Sequence, residues 1–459
     1  MDMQKESGLV KKEKQNARSI SIKEGSASSA ASGFGDSFII PFAQFIGSNA
    51  VHIGLISAFS GLLSPIAQFF GNKMMEKLPR KKIVTRFVLT QSLLWLPLAI
   101  ISILYWKNIL QGFLPWLLIL VYTLIAISGG LVHPAWFTWM GDLVDEKERG
   151  KYFSKRNVYT GLVGIIVAIL GSLIVQKFEI VGFSFIGFGL MFFLASLFRF
   201  VSFYLFKRQY SPSFKLEKKD EFSFLAFIKR YDNFGKFAVY RSVFNFAIMI
   251  ASPFFGFYLL TELGYDKNLL LFMIISMSSS IFSLIFTPLA GKLSDKYGNL
   301  KLLYVEWIFF VLSPLVWLFS KNIIWLILVP GIVAGIANAA SAIANTNFIY
   351  DSTSREKRGT CSAYTNILVG IGVFIGSLLG GFLLKSLKVN SFGMDVFFIV
   401  FILAAIARFL VGLIFLPQLK EVRKVSKAKF HFHPLRTIHH EINGFGTFFH
   451  NHRGTLRKV

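Results

Sequence analysis

The chain has little charge and a single cysteine for a protein of its length. Only 16% of its 459 residues are charged, whereas 54% are hydrophobic. Soluble domains need a larger charged surface, so this composition argues against two or three soluble domains. The lone cysteine, Cys361, excludes an internal disulfide and a cysteine metal cluster, and we expect it to be a small buried residue. The sequence also lacks a G-x-x-x-x-G-K-[ST] phosphate loop, so ATP hydrolysis is not predicted.

Long hydrophobic runs take the place of charge. A bilayer core of about 30 Å needs roughly 20 apolar residues per helix, and runs of that kind recur from Gly33 to Pro417. The N-terminal residues are polar and lack the apolar centre of a signal peptide, so cleavage is not expected. The sequence therefore predicts an all-α membrane protein with twelve transmembrane helices. Their expected positions are 27–46, 53–70, 84–105, 113–139, 157–176, 184–206, 237–260, 268–290, 302–319, 323–349, 361–384 and 395–417.

A charged segment occurs twice at a fixed separation. Residues 134–157 interrupt the hydrophobic sequence, and a second copy follows 209 residues later. The matched pairs are Asp142 with Asp351, Arg149 with Arg358, Gly150 with Gly359, and Asn157 with Asn366. One offset held across neighbouring spans indicates a duplication. We therefore predict two pseudo-symmetric six-helix bundles, at 27–206 and 237–417, with a connector at 207–236 and tails at 1–26 and 418–459.

Lysine and arginine are concentrated on one side of this topology. Loops at 71–86, 142–156, 207–236, 291–301 and 351–359 hold 25 of them, and the alternate loops hold six. The positive-inside rule places the first set and both basic tails in the cytoplasm, beside the anionic lipids of a plasma membrane. Topology thus accounts for the net charge of +25 better than nucleic acid, for which no recognition module is present.

Two segments outside the spans carry patterns of their own. In the connector, Phe222, Phe224, Leu225, Phe227 and Ile228 precede Lys229 and Arg230, which predicts a short interfacial amphipathic helix. The C-terminal tail carries six histidines, His431, His433, His439, His440, His450 and His452. Imidazoles without a folded scaffold are weak evidence for a metal site, and a disordered tail near the membrane is the favoured interpretation. No metal and no cofactor is predicted.

The turn after the eighth span reads G-K-L-S-D-K-Y-G-N-L-K from Gly291 to Lys301. Gly291 would let two helices approach, Asp295 can accept hydrogen bonds from a helix N-terminus, and Gly298 permits a sharp reversal. This pattern resembles the G-x-L-x-D-[RK]-x-G-x-x-[RK] loop of the major facilitator superfamily of transporters. The corresponding turn in the first half has Met75 in place of the acid.

The resemblance covers nearly the whole chain, because the twelve spans, the connector and both Asp-Arg-Gly loops fit it. It implies two six-helix bundles with a solute cavity between them. It also implies that Asp295 latches onto the start of the fifth span, near Arg149 and Gly150. The gating set is therefore Gly291, Asp295, Gly298, Asp142, Arg149, Gly150, Asp351, Arg358 and Gly359. Solvated topology anchors are the alternative role for its charged members at 142, 149, 351 and 358.

Ionisable residues inside the spans are functional candidates, because charge is costly in hydrocarbon. Asp36 stands about nine residues into the first span, roughly 14 Å deep. It suits a proton carrier or a counter-ion for a cationic substrate, and the alternative is a local partner such as Arg241 or a hydroxyl. Arg241 and Asn245 in the seventh span could bind an anionic group, although Arg241 could equally snorkel. Further cavity candidates are Gln44, Trp136, Asn338 and Asn345.

Other residues within the spans are expected to be structural. Glu306, Arg199 and Arg408 fall on spans that are peripheral in the resembled family, and snorkelling or helix pairing is predicted for both arginines. Small residues recur in the eleventh span and predict close helix packing. They are Gly372, Gly376, Ser377, Gly380 and Gly381.

Together these features predict a secondary active transporter rather than an enzyme. It would move a small solute by alternating access, as a monomer, with proton coupling through Asp36 as the leading hypothesis. Export of an amphipathic compound and uptake of a sugar or organic anion stay open as alternatives. The competing class is a non-transporting membrane sensor or assembly partner with the same fold, motivated by Met75.

Overall fold

The computed structural model describes residues 2–145, 148–212, 223–354, 357–387 and 395–423, and all regular secondary structure in them is helical. The α-helices are α1 (Asp2–Phe34), α2 (Ile39–Phe45), α3 (Ala50–Met74), α4 (Arg80–Trp106), α5 (Leu114–Leu143), α6 (Arg149–Ile180), α7 (Ser184–Arg208), α8 (Phe224–Ile228), α9 (Asn233–Met249), α10 (Phe254–Thr261), α11 (Leu269–Tyr297), α12 (Asn299–Leu315), α13 (Ile323–Ser352), α14 (Arg358–Ser386) and α15 (Val396–Phe415). Eleven stretches of the described chain are long and apolar enough to cross a membrane. The prediction of an all-α membrane protein is confirmed.

The predicted first span is not among these eleven stretches, and its helix is interrupted. α1 ends at Phe34, a single 3-10 turn follows at Asp36–Phe38, and α2 begins at Ile39. A Cβ atom on Gly35 would lie 2.4 Å from the ring of Trp95, so a side chain at this break would displace the indole. α1 also reaches back through the segment predicted as a tail. The term "tail end" denotes the end of the bundle at which α1 enters.

The predicted seventh span is also broken, between α9 and α10. Arg408 of α15 lies at this break with no exposed surface, and its guanidinium donates to the carbonyls of Ala247 and Ile248 at 3.4 and 2.8 Å. These carbonyls belong to the last turn of α9, where the helix dipole favours a cation, and that of Ile248 also accepts the amides of Ala251 and Ser252. The predicted helix pairing is therefore observed for Arg408, and snorkelling is not.

Glycines set the spacing between the eleventh span and two others. A Cβ on Gly372, Gly376 or Gly380 of α14 would lie 2.1 to 2.2 Å from a backbone carbonyl of α9 or the residue after it. On another face of α14, a Cβ on Gly370 would lie 2.9 Å from the carbonyl of Gly61 in α3. The predicted close packing is confirmed, and α14 joins the second half to the first.

The connector and the C-terminal segment pack against the second half. α8 is the predicted amphipathic helix, shortened to five residues, and Phe227 buries its ring against Phe234 and Tyr364. Phe222 lies outside the described residues. Beyond α15, Asn233 and Lys420 exchange two hydrogen bonds of 2.8 Å, so the chain is pinned to the start of α9 past residue 418. The six tail histidines also lie outside the described residues.

Candidate functional site

A cavity of about 520 Å³ lies between the two halves. α1, the 3-10 turn and α6 contribute one wall, and α11 and α13 contribute the other. The lining is rich in hydroxyls and small residues: Ser29, Ser32, Gly33, Asp36, Ser37, Thr160, Gly161, Gly164, Ile165, Met277, Ser280, Ser283, Leu284 and Asn338. A volume of this size falls in the range of small-molecule sites.

Asp36 is the only ionisable residue in the described lining. It is the first residue of the 3-10 turn that follows the end of α1, and its side chain is exposed to the cavity. The hydroxyl of Tyr122 donates to Asp36 Oδ1 at 3.2 Å, and Ser32 supplies a second hydrogen bond. Of the two local partners considered from the sequence, the structure shows the hydroxyls, and it places Arg241 elsewhere.

The remaining cavity candidates divide between several places. Asn338 lines the cavity on the wall opposite Asp36, and its role toward a solute stays a prediction. Gln44 lies near the C-terminus of α2, where its carbonyl accepts the amide of Gly47 at 3.0 Å. The ring of Trp136 lies under the guanidinium of Arg156, 4.9 Å from its centroid. The described lining therefore includes Asn338 but neither Gln44 nor Trp136.

Arg241 and Asn345 meet inside the second half at Glu306, which was not among the predicted cavity residues. Arg241 Nη1 lies 3.3 Å from Oε1 of Glu306, and Asn345 donates to the same carboxylate at 3.3 Å. Asn245 donates to the carbonyl of Arg241 at 2.8 Å. Glu306 has no exposed surface. Arg241 therefore does not snorkel but pairs with Glu306, which sequence reasoning treated as peripheral.

A second buried acid lies in the first half. Glu24 is 2% exposed, accepts a hydrogen bond of 2.8 Å from the Ser202 hydroxyl, and lies 3.4 Å from Arg156 Nη2. Sequence reasoning missed Glu24 because it falls in a polar segment before the first apolar run. The available signal was its spacing, since Glu24, Ser28, Ser32 and Asp36 recur every four residues and share one face of a helix.

Arg199 connects this polar face to the third span. Its Nε donates to Gln91 Oε1 at 2.9 Å, and its Nη1 donates to the hydroxyl of Ser28 at 2.6 Å. Its charge also lies near both Glu24 and Asp36. The prediction of helix pairing holds for Arg199 as it does for Arg408, but the partners differ: side chains for Arg199 and mainly backbone carbonyls for Arg408.

The two repeated aspartates contact residues of their own halves. Asp142 Oδ2 lies 2.7 Å from Arg80 Nη1, which ties the end of α5 to the start of α4. Asp351 accepts a hydrogen bond of 2.7 Å from Asn299, which ties the end of α13 to the start of α12. Arg358 donates to the carbonyl of Tyr350 at 3.0 Å. These described contacts join neighbouring spans within a half.

The turn after α11 contacts the C-terminal segment. Asp295 Oδ1 lies 2.9 Å from Arg423 Nη1, whereas the helix N-terminus beside it is capped by Glu421, which accepts the amide of Leu300 at 2.7 Å. Gly298 has a φ of +91°, which confirms the predicted reversal. The side chain of Arg149 and the surroundings of Gly150 lie outside what the structure describes, and Gly359 is exposed, so the proposed latch of Asp295 onto the fifth span stays a prediction.

The packing around Gly291 and Met75 bears on the role of these two turns. A Cβ on Gly291 would meet no described atom within 4 Å, so the expected close approach of two helices at Gly291 is wrong. In the first half, Met75 is 6% exposed and packs in an apolar cluster with Ile83 and Trp139. An acid at position 75 would be buried among these side chains, which explains physically why this turn departs from the pattern of the other half.

Comparison with known proteins gives concordant results. The sequence profile of the Major Facilitator Superfamily matches residues 26–323 and 243–453. The tetracycline resistance protein, class H, of Pasteurella multocida is 33% identical over 99 residues, which are 22% of this chain and 24% of that protein. The vacuolar basic amino acid transporter 1 of Saccharomyces cerevisiae is 35% identical over 115 residues, 24% of this chain and 20% of that protein. The matched segments thus span about a quarter of these relatives.

A crystal structure of the nucleoside transporter NupG superposes with a TM-score of 0.63 at 13% identity, covering 88% of this chain and 99% of that one.

Proposed function

The chain belongs to the Major Facilitator Superfamily, and from that premise we propose that it is a secondary transporter that moves a small solute across a membrane by alternating access. The observation that carries the proposal is the cavity between the halves, which exposes one carboxylate, Asp36, on a broken helix. The names of the relatives refer to different solutes, so no substrate is transferred from them.

Asp36 is proposed as the proton-coupling residue. A charge at this depth of a bundle is costly unless it is compensated, and the described hydrogen-bond partners of Asp36 are hydroxyls. A proton or a bound cation would neutralise the carboxylate. Exchange of the two while the cavity opens first to one side and then to the other would couple solute movement to a proton gradient.

The distribution of basic residues supports the proposed orientation, and the position of the cavity supports a monomer. The basic loops cluster at the tail end, which favours a cytoplasmic location for this end and for both termini in a plasma membrane. The anionic headgroups there would be the lipid partners. A monomer contains both walls of the cavity, so transport does not require a second copy.

Purified protein in liposomes tests these proposals. Pooled radiolabelled solutes are screened with and without a pH gradient, and Asp36→Asn is compared with Asp266→Asn, a carboxylate in the 3-10 turn before α11. We expect gradient-driven uptake that Asp36→Asn abolishes and Asp266→Asn preserves. Uptake that ignores both the gradient and Asp36→Asn would refute the coupling. Folded protein that moves no solute would favour the sensor or assembly class.

A further inference from the structure

The chemistry of the cavity lining also selects a class of ligand. This inference rests on the proposed function, because it assigns the substrate of the same cavity. With Asp36 ionised, the described lining carries one negative charge and no positive charge. An anionic solute would add a second negative charge beside the first, whereas a monocation would form a charge-assisted contact.

Three arginines of the bundle, outside the described cavity lining, hold hydrogen bonds or ion pairs of their own. Arg199 is hydrogen-bonded to Gln91 and Ser28, and Arg156 lies against Glu24. Arg241 in the second half is paired with Glu306. Arg156 and Arg241 thus each face a carboxylate, whereas Arg199 bonds to neutral groups and its charge also acts on Asp36. None of the three arginines belongs to the described lining, so Asp36 is the charge that a solute in the cavity contacts directly.

The rest of the wall favours a cation with N–H groups. Hydroxyls of Ser32, Thr160 and Ser280 and the amide of Asn338 provide acceptors and donors around Asp36. A quaternary ammonium has no N–H to donate and is usually held by aromatic faces, and the described lining contains no aromatic ring. A protonated primary or secondary amine can instead donate to the carboxylate and to several hydroxyls at once.

We propose that the cavity binds a hydrophilic primary or secondary amine that also bears hydroxyl groups, with its ammonium on Asp36 and its hydroxyls on the serine, threonine and asparagine side chains. The ammonium of such a ligand would contact the carboxylate, and its hydroxyls would contact the hydroxyl and amide groups of the lining. A neutral polyol leaves the carboxylate without a counter-ion, an organic acid is repelled, and a quaternary ammonium leaves the hydrogen-bond acceptors unpaired.

Equilibrium binding to the full chain in lipid nanodiscs tests this assignment. The probes form two matched sets, each on one carbon skeleton: glucamine, trimethylglucamine, sorbitol and gluconate, and ethanolamine, choline, ethylene glycol and glycolate. We expect the primary amine to bind most tightly in at least one set, by about tenfold or more over its trimethyl, neutral and acidic counterparts. Asp36→Asn should remove this preference, and Asp266→Asn should retain it.

Three results would overturn the assignment: no binding by either amine, equal binding of amine and quaternary ammonium, or amine binding that survives Asp36→Asn. Thr160→Val and Ser280→Ala provide a second readout, because each should weaken glucamine more than ethanolamine if the hydroxyls of the ligand contact the wall. The liposome screen separates this failure from failure of the proposed function. Transport of a sugar or an acid would keep the transporter and discard the amine, and silence in both experiments would discard both.

Discussion

Arg241 Nη1 lies 3.3 Å from Oε1 of Glu306, and this ion pair joins the seventh and ninth spans inside the second half. The two partners are not equally buried, since the side chain of Glu306 is 0% exposed and that of Arg241 is 17% exposed. Removing either partner leaves the other without its counter-charge. The cost should therefore depend on which partner remains.

We expect Arg241→Met to destabilise the protein more than Glu306→Gln. Arg241→Met leaves the fully buried carboxylate without its counter-charge and should lower the free energy of unfolding by about 3–5 kcal/mol. The guanidinium left by Glu306→Gln is partly exposed and can reach water. The double variant should recover much of the loss, because no unpaired charge is left. Thermal unfolding of the purified protein in one detergent measures all three variants. Equal losses, or additive losses in the double variant, would contradict this view of the pair.

The contact between α14 and α9 gives a second prediction. A Cβ on Gly376 would lie 2.2 Å from the carbonyl of Phe246, so Gly376→Ala must push the two helices apart. We expect a loss of about 1–3 kcal/mol. Gly291→Ala is the matched control, because it is also helical and meets no described atom within 4 Å. Alanine is the better helix former, so Gly291→Ala should leave the melting temperature unchanged or raise it.

The third prediction concerns Arg408 and a proline on a different helix. Arg408 Nη1 donates to the carbonyl of Phe310 at 2.7 Å. Pro314 lies four residues after Phe310 in α12 and has no N–H, so this carbonyl lacks its ordinary helical partner. The arginine therefore bonds to backbone carbonyls on two helices, at the end of α9 and at the position in α12 where the proline removes the helical partner.

A double-mutant cycle separates these two contributions. Arg408→Met alone should be strongly destabilising, since it leaves buried carbonyls unpaired. In a Pro314→Ala background the alanine amide can bond to the Phe310 carbonyl, so the same Arg408→Met change should cost about 1 kcal/mol less. Melting temperatures of the four proteins provide the measurement. An unchanged cost in the two backgrounds would show that the Phe310 carbonyl does not depend on the arginine.

Sequence reasoning identified features that depend on local chemistry. The eleven membrane-length stretches follow from apolar runs bounded by charge, the reversal at Gly298 follows from the tolerance of glycine for positive φ, and burial of Cys361 follows from its small apolar side chain. Asp36 was accessible to the same reasoning, because one carboxylate in a long apolar segment has few structural explanations.

Pairings between distant segments were harder to predict. Arg241 was assigned to the cavity and Glu306 to the periphery, although the two are in contact, because sequence position does not show which face of a helix a side chain occupies. Glu24 was assigned to a tail because the apolar pattern begins after it, whereas tertiary contacts extend α1 far toward the N-terminus. Glu421 and Arg423 were assigned to a disordered tail, whereas they contact Leu300 and Asp295, which precede them by 121 and 128 residues. A pattern in the local sequence does not show contacts at that separation.

The last prediction tests alternating access at the end of the bundle opposite the tails. There a Cβ on Gly256 of α10 would lie 3.6 Å from Ile40 Cγ2 of α2, so the outer parts of the first and seventh spans are in contact. If the cavity must open at this end during each cycle, these two helices have to separate. Cysteines at positions 40 and 256, in a Cys361→Ala background, are close enough to form a disulfide after a small local shift.

We expect oxidation of this double-cysteine protein to stop transport and reduction to restore it. Each single-cysteine variant treated with the same oxidant is the control, since it carries the substitution and the reagent without the cross-link. Ligand binding from the tail end should survive oxidation, because the cross-link holds closed only the opposite end. A cross-linked protein that transports at the uncross-linked rate would show that α2 and α10 stay together throughout the cycle, and the solute would then need another path past Asp36.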